Sequence, residues 1–134
     1  PIGEAVVRRE GKDITLVAYL YMAQVALEAA ELLAKEGIEA EVVDPRTLIP
    51  LDAETIAASV RKTGRLLIVC QAPKTGCFGE HIAYRAQQAC LSSLKAPIKI
   101  VAAYDVPPPM AQTLEAENLP SAAKVAREAK GMMG

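Results

Sequence analysis

Cys77 and His81 stand in the part of the chain whose residue types and spacing are closest to those of a chemical site. They belong to a run with two glycines, and this run follows the apolar residues 66–70. Backbone N–H groups at a strand-to-helix turn can bind an anion, and a thiol at a helix amino terminus can become reactive. We therefore take residues 75–79, called the glycine loop below, as the first candidate site.

Each residue of this segment also has a structural explanation. Cys77 and His81 are four residues apart, a spacing that suits one helix face, but a structural zinc site needs four ligands. A single histidine near a helix start is typical of a surface residue that forms hydrogen bonds. The glycine loop has neither a Walker ending nor G-x-G-x-x-G spacing. Its glycines are explained by the needs of a turn and of close packing between helix and sheet.

The three cysteines, Cys70, Cys77 and Cys90, follow the spacing C-x6-C-x12-C. This spacing matches neither a zinc pair, a redox C-x-x-C motif nor a disulfide framework, so the sequence predicts reduced thiols. Cys70 and Cys90 are predicted to fill the core. Core packing is also the favoured interpretation of Cys77, because the sequence shows no base or resolving partner for it. A redox enzyme that depends on Cys77 is kept as an alternative.

Two carboxylates, Asp44 and Asp105, follow predicted strands. Acids in this position commonly cap a helix or pair with an arginine, and Arg46 is available to Asp44. Neither belongs to a recognisable acid–base pair. The sequence therefore predicts no catalytic constellation and no metal site.

Composition limits the classes of partner. The chain has 134 residues, of which 51% are hydrophobic and 23% charged, with a net charge of −1. This balance predicts one globular domain over residues 1–134. No basic stripe is present, so nucleic acid is not expected as a partner. No apolar window approaches the roughly 20 residues of a membrane span, and we expect a protein of the cytoplasm or of an organelle matrix.

Hydrophobic periodicity predicts strands over residues 6–9, 14–19, 38–43, 66–70 and 98–103. In the third of these, Glu39 and Glu41 alternate with Ala40 and Val42. The first two strands are too close in sequence for a crossover helix, so they should not be parallel neighbours, and the first is the candidate antiparallel edge. Three prolines, Pro107 to Pro109, end the sheet and begin a stiff arm, residues 107–119, called the proline arm below.

Four helices alternate with these strands. Gly37 and Gly64 are predicted to end the first two, and Asp52 to cap the second. The fourth begins at Ser121, and residues 131–134 are expected to be a frayed tail. The predicted buried positions are Met22, Val25, Ala26, Ala29, Leu32 and Leu33; Ile56, Ala57 and Val60; Phe78, Ile82, Ala86, Ala89, Cys90 and Leu94; and Val125, Ala126 and Ala129.

This alternation predicts an α/β fold, a three-layer α/β/α sandwich around a five-stranded mixed sheet with one antiparallel edge strand. In such folds ligands and partners commonly bind at the carboxyl ends of the strands.

Four segments carry a resemblance to a known family: G-K-D-I-T-L-V from residue 11, A-E-V-V-D-P-R-T-L-I-P-L-D from residue 40, A-P-K-T-G-C-F-G from residue 72, and residues 96–109. They resemble the carboxyl-terminal domain of the β subunit of thiamine diphosphate-dependent 2-oxo acid dehydrogenases, in the transketolase carboxyl-domain family. The match runs over essentially the whole chain. The family commonly has glycine at positions 20 and 77 and glutamate at position 71, where this chain has Leu20, Cys77 and Gln71.

The resemblance implies a non-catalytic domain excised from a longer β subunit. Thiamine diphosphate and magnesium would be bound by other domains of the complete enzyme, and this domain would contact a second β subunit, the α subunit and the lipoyl acyltransferase core. Partner contacts are expected at the glycine loop and the proline arm, through Thr75, Gly76, Phe78, Gly79, His81, Asp105, Pro107 and Pro109. The alternative is a free-standing module that binds a small molecule or nucleotide through the glycine loop.

Overall fold

The structure, a computed structural model, describes residues 3–73, 77–103 and 119–134 of the chain. Its strands form one sheet in the order β1-β3-β2-β4-β5, in which β1 is antiparallel to β3 and the other pairs are parallel. The strands are β1 Val6–Arg9, β2 Ile14–Ala18, β3 Ala40–Asp44, β4 Leu66–Pro73 and β5 Lys99–Ala103. The predicted mixed sheet with an antiparallel edge is confirmed.

Helices cover both faces of the sheet. They are α1 Tyr21–Ala34, α2 Ala53–Thr63, α3 Phe78–Cys90, which continues into a short 3-10 helix at Leu91–Ser93, and α4 Ala122–Gly131. Helices α1 and α4 pack on one face, against side chains such as Leu16 and Leu67. Helices α2 and α3 pack on the other, against side chains such as Val17 and Ile68. This arrangement is the predicted three-layer sandwich.

The helix ends are set by residues that the sequence identified. Asp52 accepts a hydrogen bond from the Thr55 backbone N–H at 3.1 Å, which satisfies a free donor in the first turn of α2. Gly64 ends α2 at φ +78, and Gly37 follows α1 at φ +80, a backbone region that glycine enters without steric cost. Ser121 caps α4 through the Lys124 backbone N–H.

Glu41 is buried, although it alternates with apolar residues along β3. It is only 3% exposed, because β3 lies between β1 and β2 in the sheet and all five of its residues are buried. Its carboxylate pairs with the Lys62 ammonium of α2 and accepts the Gly11 backbone N–H at 3.1 Å. Burial raises the pKa of Glu41, but hydrogen bonds from Lys62, Ser59 and Gly11 outweigh it and the net pKa is lowered.

Three expectations about burial and order were wrong. Leu32 is 37% exposed at the rim between α1 and α4. Ala30, which is not among the predicted buried positions, is fully buried. Ala89 is exposed on α3. The tail is ordered rather than frayed, because Met132 and Met133 pack against the core and Arg65 binds their carbonyl oxygens at 3.1 and 3.5 Å.

Within the described ranges, no helix is both long and apolar enough to cross a membrane.

Candidate functional site

The carboxyl ends of β2 and β4 meet at one edge of the sheet, as parallel neighbours must. Ala18 is paired with Val69, so Tyr19 and Cys70 follow side by side. Helix α3 begins a short distance along the chain, at Phe78, and its first turn packs against the end of β4. The thiols, one tyrosine and the first turn of α3 therefore come together where the sequence placed the candidate site.

Five predicted contact residues, Thr75, Gly76, Asp105, Pro107 and Pro109, lie outside the described residues. Phe78 is half-buried, Gly79 is buried and His81 is exposed. The rings of Phe78 and His81 contact each other, with centroids 5.0 Å apart and planes at 57°. His81 is thus a surface residue whose ring lies at an angle against the Phe78 ring of its own helix. The partner-binding role of all eight residues stays a prediction.

Gly79 allows α3 to approach the sheet closely. A Cβ atom on this residue would lie 2.6 Å from the Cys70 Sγ, 3.2 Å from the Cys77 Sγ and 3.2 Å from the Ile68 Cγ2. Contacts this short exclude any larger side chain unless the helix moves. The interpretation of this glycine as a packing residue is confirmed.

Cys70 and Cys77 form a buried pair that the sequence did not predict. Their Sγ atoms are 3.6 Å apart, and the side chains are 0% and 6% exposed. Burial raises the pKa of Cys70 to about 12, and the neighbouring Cys77 adds to the effect. The sequence indicates no partner for Cys77, because a C-x6-C spacing does not by itself determine the distance between the two thiols.

Tyr19 completes this cluster. Its hydroxyl donates a hydrogen bond to the Cys70 sulfur, and the Gly79 backbone N–H donates a second one. Burial raises the pKa of Tyr19 to about 12, with smaller contributions from the two thiols. The phenol therefore stays protonated, and a donor, throughout the physiological range.

Asp44 binds a different arginine from the one expected. Its carboxylate accepts hydrogen bonds from the Arg8 guanidinium of β1 at 3.0 and 3.3 Å. The Arg46 contribution is its backbone N–H, at 2.8 Å. The antiparallel pairing of Val6 with Asp44 explains why Arg8 binds this carboxylate, because it brings β1 alongside the end of β3. The Asp44 carboxylate therefore has a structural role, with hydrogen bonds to Arg8 and to the Arg46 backbone.

Leu20 holds a strained turn between β2 and α1. Its φ and ψ are +58° and −139°, and its side chain is 76% exposed. A positive φ with this ψ is unfavourable for a β-carbon-bearing residue. Glycine is the residue that relieves such strain.

We expect Leu20→Gly to raise the free energy of unfolding by about 1 kcal/mol, the relief of strain less the added entropy of the unfolded chain. Urea denaturation followed by circular dichroism measures the change. Gln24→Gly, at an exposed position inside α1, is the matched control and should lower stability by about 1 kcal/mol. Equal losses in both variants would contradict the assignment of strain.

Metal and cofactor donors are limited at this edge. Among the described residues, no group of three or more His, Cys, Asp or Glu side chains could hold a metal ion. The expectation that the cofactor is bound by other domains stays a prediction.

The known proteins to which the chain is similar include β subunits of several oxidoreductases. The chain is 46% identical over 133 residues to the β subunit of acetoin:2,6-dichlorophenolindophenol oxidoreductase from Cupriavidus necator, covering 99% of this chain and 39% of the relative. It is 43% identical over 130 residues to the mitochondrial pyruvate dehydrogenase E1 component subunit beta-2 of Oryza sativa, covering 97% and 35%. With the 2-oxoisovalerate dehydrogenase subunit beta of Bacillus subtilis it shares 47% over 116 residues, covering 86% and 36%.

The chain thus spans under two fifths of the length of these relatives. Among solved structures, a split-gene transketolase described as an inactive beta4 tetramer matches with a TM-score of 0.80 and 32% identity, over 98% of this chain and 42% of that one. A 2-oxoglutarate:ferredoxin oxidoreductase from Magnetococcus marinus shares the fold, with a TM-score of 0.61 at 12% identity over 98% of this chain and 19% of that one. A family model described as "Transketolase, C-terminal domain" matches residues 3–125. By this match and the architecture above, the chain belongs to the transketolase C-terminal domain family.

Proposed function

We propose that this chain is the partner-binding, non-catalytic carboxyl-terminal domain of the β subunit of a 2-oxo acid dehydrogenase. Its complete enzyme would oxidatively decarboxylate pyruvate or a branched-chain 2-oxo acid with thiamine diphosphate and magnesium bound in other domains, and would acylate lipoyl groups. The observation that carries the proposal is the identity of 43–47% to β subunits of pyruvate and 2-oxoisovalerate dehydrogenases. We place such an enzyme in the cytoplasm of a bacterium or in the mitochondrial matrix.

The surface between α3 and β5 supports a role in assembly. Tyr84 and Leu91 are 61% and 63% exposed there, and they border an open groove. The groove is lined mostly by apolar side chains: Ala83, Leu94, Ile98 and Ile100. Exposed apolar area of this kind suits contact with a protein. We propose that this surface, together with the glycine loop and the proline arm, contacts the second β subunit, the α subunit or the lipoyl acyltransferase core.

The assembly prediction is tested by adding charge to this groove. The double variant Tyr84→Asp, Leu91→Asp should weaken binding between the protein and the α subunit encoded with it by about tenfold, since buried aromatic and apolar anchors carry most interface energy. Sedimentation velocity of the mixture measures the complex. Leu32→Asp, on the opposite layer, is the matched control and should assemble normally, with circular dichroism confirming that each variant folds. Equal assembly of all three proteins would exclude a contact between the groove and the α subunit.

Calorimetry separates this proposal from a free-standing nucleotide-binding module. We expect no saturable heat when the chain is titrated with thiamine diphosphate and MgCl2, or with ADP. Saturable binding of ADP that is lost on mutation of the glycine loop would support the alternative. Turnover of a 2-oxo acid by this chain alone would overturn the non-catalytic assignment.

A further inference from the structure

We propose that Cys70 and Cys77 are an oxidation site, at which the two thiols close to a reversible disulfide. The Sγ atoms are 3.6 Å apart, and a disulfide needs about 2.05 Å, so closure requires an approach of about 1.5 Å. Cys77 is the residue directly before α3, outside regular secondary structure, and Cys70 lies within β4. The movement can therefore be made by Cys77 while the sheet stays in place.

The packing around the two sulfurs favours this closure. Gly79 has no Cβ, and the space that one would occupy lies 2.6 Å from the Cys70 Sγ and 3.2 Å from the Cys77 Sγ. The first turn of α3 thus packs directly against both thiols and keeps Cys77 close to Cys70 of β4. Pairs held in contact in this way oxidise to each other rather than to thiols of other molecules.

The hydrogen bonds at Cys70 assign it the resolving role. The Tyr19 hydroxyl and the Gly79 backbone N–H both donate to its sulfur, so the negative charge formed as Cys70 gives up its proton is stabilised. At rest the raised pKa of Cys70, about 12 and caused mainly by burial, keeps it protonated. Cys77 is also the more exposed of the two, at 6% against 0%. An oxidant therefore reacts first at Cys77.

The oxidant is a small hydroperoxide such as hydrogen peroxide. The Cys77 sulfur attacks one peroxide oxygen, the O–O bond breaks, and a sulfenic acid and one water are formed. The Cys70 sulfur then attacks the Cys77 sulfur, the S–O bond breaks, and the departing hydroxide takes the Cys70 proton as a second water. Two thiols lose two electrons in total, and the peroxide gains them. A dithiol reductant reverses the reaction by exchange.

Cys90 is an internal control. It is 3% exposed, as buried as the pair, but its thiol donates to the Ala86 carbonyl oxygen at 2.9 Å within its own helix. We expect it to stay reduced under conditions that oxidise the pair.

The sequence allows a direct readout, because trypsin cleaves after Lys74, between the two cysteines. The folded chain is treated with hydrogen peroxide, remaining thiols are alkylated, and the digest is examined by mass spectrometry without reduction. We expect residues 66–74 and 75–85 to appear as one linked species that dithiothreitol separates, with Cys90 alkylated. Absence of that species, oxidation of Cys77 only to sulfinic or sulfonic acid, or equal linkage to Cys90 would each overturn the proposal.

Variants separate the roles within the pair. Cys77→Ser should abolish the linked species, whereas Cys90→Ser should leave its rate of formation unchanged. Tyr19→Phe keeps the ring but removes the donor to Cys70, and it should slow formation about tenfold, since hydrogen bonds to charged groups are the stronger kind. Rapid formation in Tyr19→Phe would exclude the positioning role of the hydroxyl. None of these outcomes depends on the proposed function in a dehydrogenase.

Discussion

Gly11→Ala should lower the free energy of unfolding by about 3 kcal/mol, the upper part of the range for overpacking. A Cβ atom on Gly11 would lie 2.4 Å from the Ala40 carbonyl carbon, 2.5 Å from the Ala40 oxygen and 2.6 Å from the Glu39 oxygen. These are backbone atoms at the start of β3, and they cannot rotate away as a flexible side chain can. The new methyl group must therefore displace the strand.

The displacement would also disturb hydrogen bonds that begin at the same turn. The Gly11 N–H donates to Glu41, and the Lys12 and Asp13 N–H groups donate to the Glu39 carbonyl at 3.1 and 2.9 Å. Urea denaturation followed by circular dichroism measures the loss. Gly131→Ala, where an added Cβ meets nothing within 4 Å, is the matched control and should cost nothing. A loss in Gly11→Ala below about 1 kcal/mol would show that the turn yields more easily than its contacts indicate.

Glu41→Ala should cost about 2 to 3 kcal/mol, because it removes the acceptor of a buried ion pair. The Gly11 and Ser59 donors lose their partner, while Lys62, whose side chain is 46% exposed, can turn to water and moderate the loss. Glu54→Ala is the matched control. Its carboxylate is 79% exposed and pairs with Arg61 on the surface, so we expect a change within about 0.5 kcal/mol.

The same residue predicts a pH dependence. Hydrogen bonds lower the pKa of Glu41 below its unfolded value, so the folded state favours the charged form. This contribution is fully present above the unfolded carboxyl pKa, about 4.3, and is lost as the pH falls through the lower folded value. Glu41→Gln should therefore differ from the parent chain by a constant amount above about pH 5, and the gap should narrow below about pH 4. A gap that widens on acidification would contradict the sign of the shift.

The layers and helix ends could be predicted because they depend on local patterns. Asp52 and Gly64 bound α2 through a side chain and a left-handed backbone, and both signals are local to the sequence. The antiparallel edge followed from the short connection between β1 and β2, which leaves no room for a crossover helix. Resemblance to a known family added the same architecture independently.

Glu41 and the thiol pair could not be predicted, because both depend on what packs beside them. Alternation in β3 is that of a half-exposed strand, yet β1 adds an edge and α2 brings Lys62 over Glu41. Cys77 contacts Cys70 because Gly79 lets the first turn of α3 approach the end of β4. Leu32 and Ala89 lie at the lateral edges of the buried faces of their helices, where a period of 3.6 does not fix the width of the face.

Arg65 forms hydrogen bonds that do not depend on the side chains of the residues it contacts. One guanidinium joins the Asp13 carbonyl oxygen, beside the first turn of the sheet, to the carbonyl oxygens of Met132 and Met133. All three acceptors belong to the main chain, so these hydrogen bonds do not require a methionine side chain at either position. Replacement of either methionine should therefore leave the Arg65 hydrogen bonds in place, although it changes the packing of that side chain against the core.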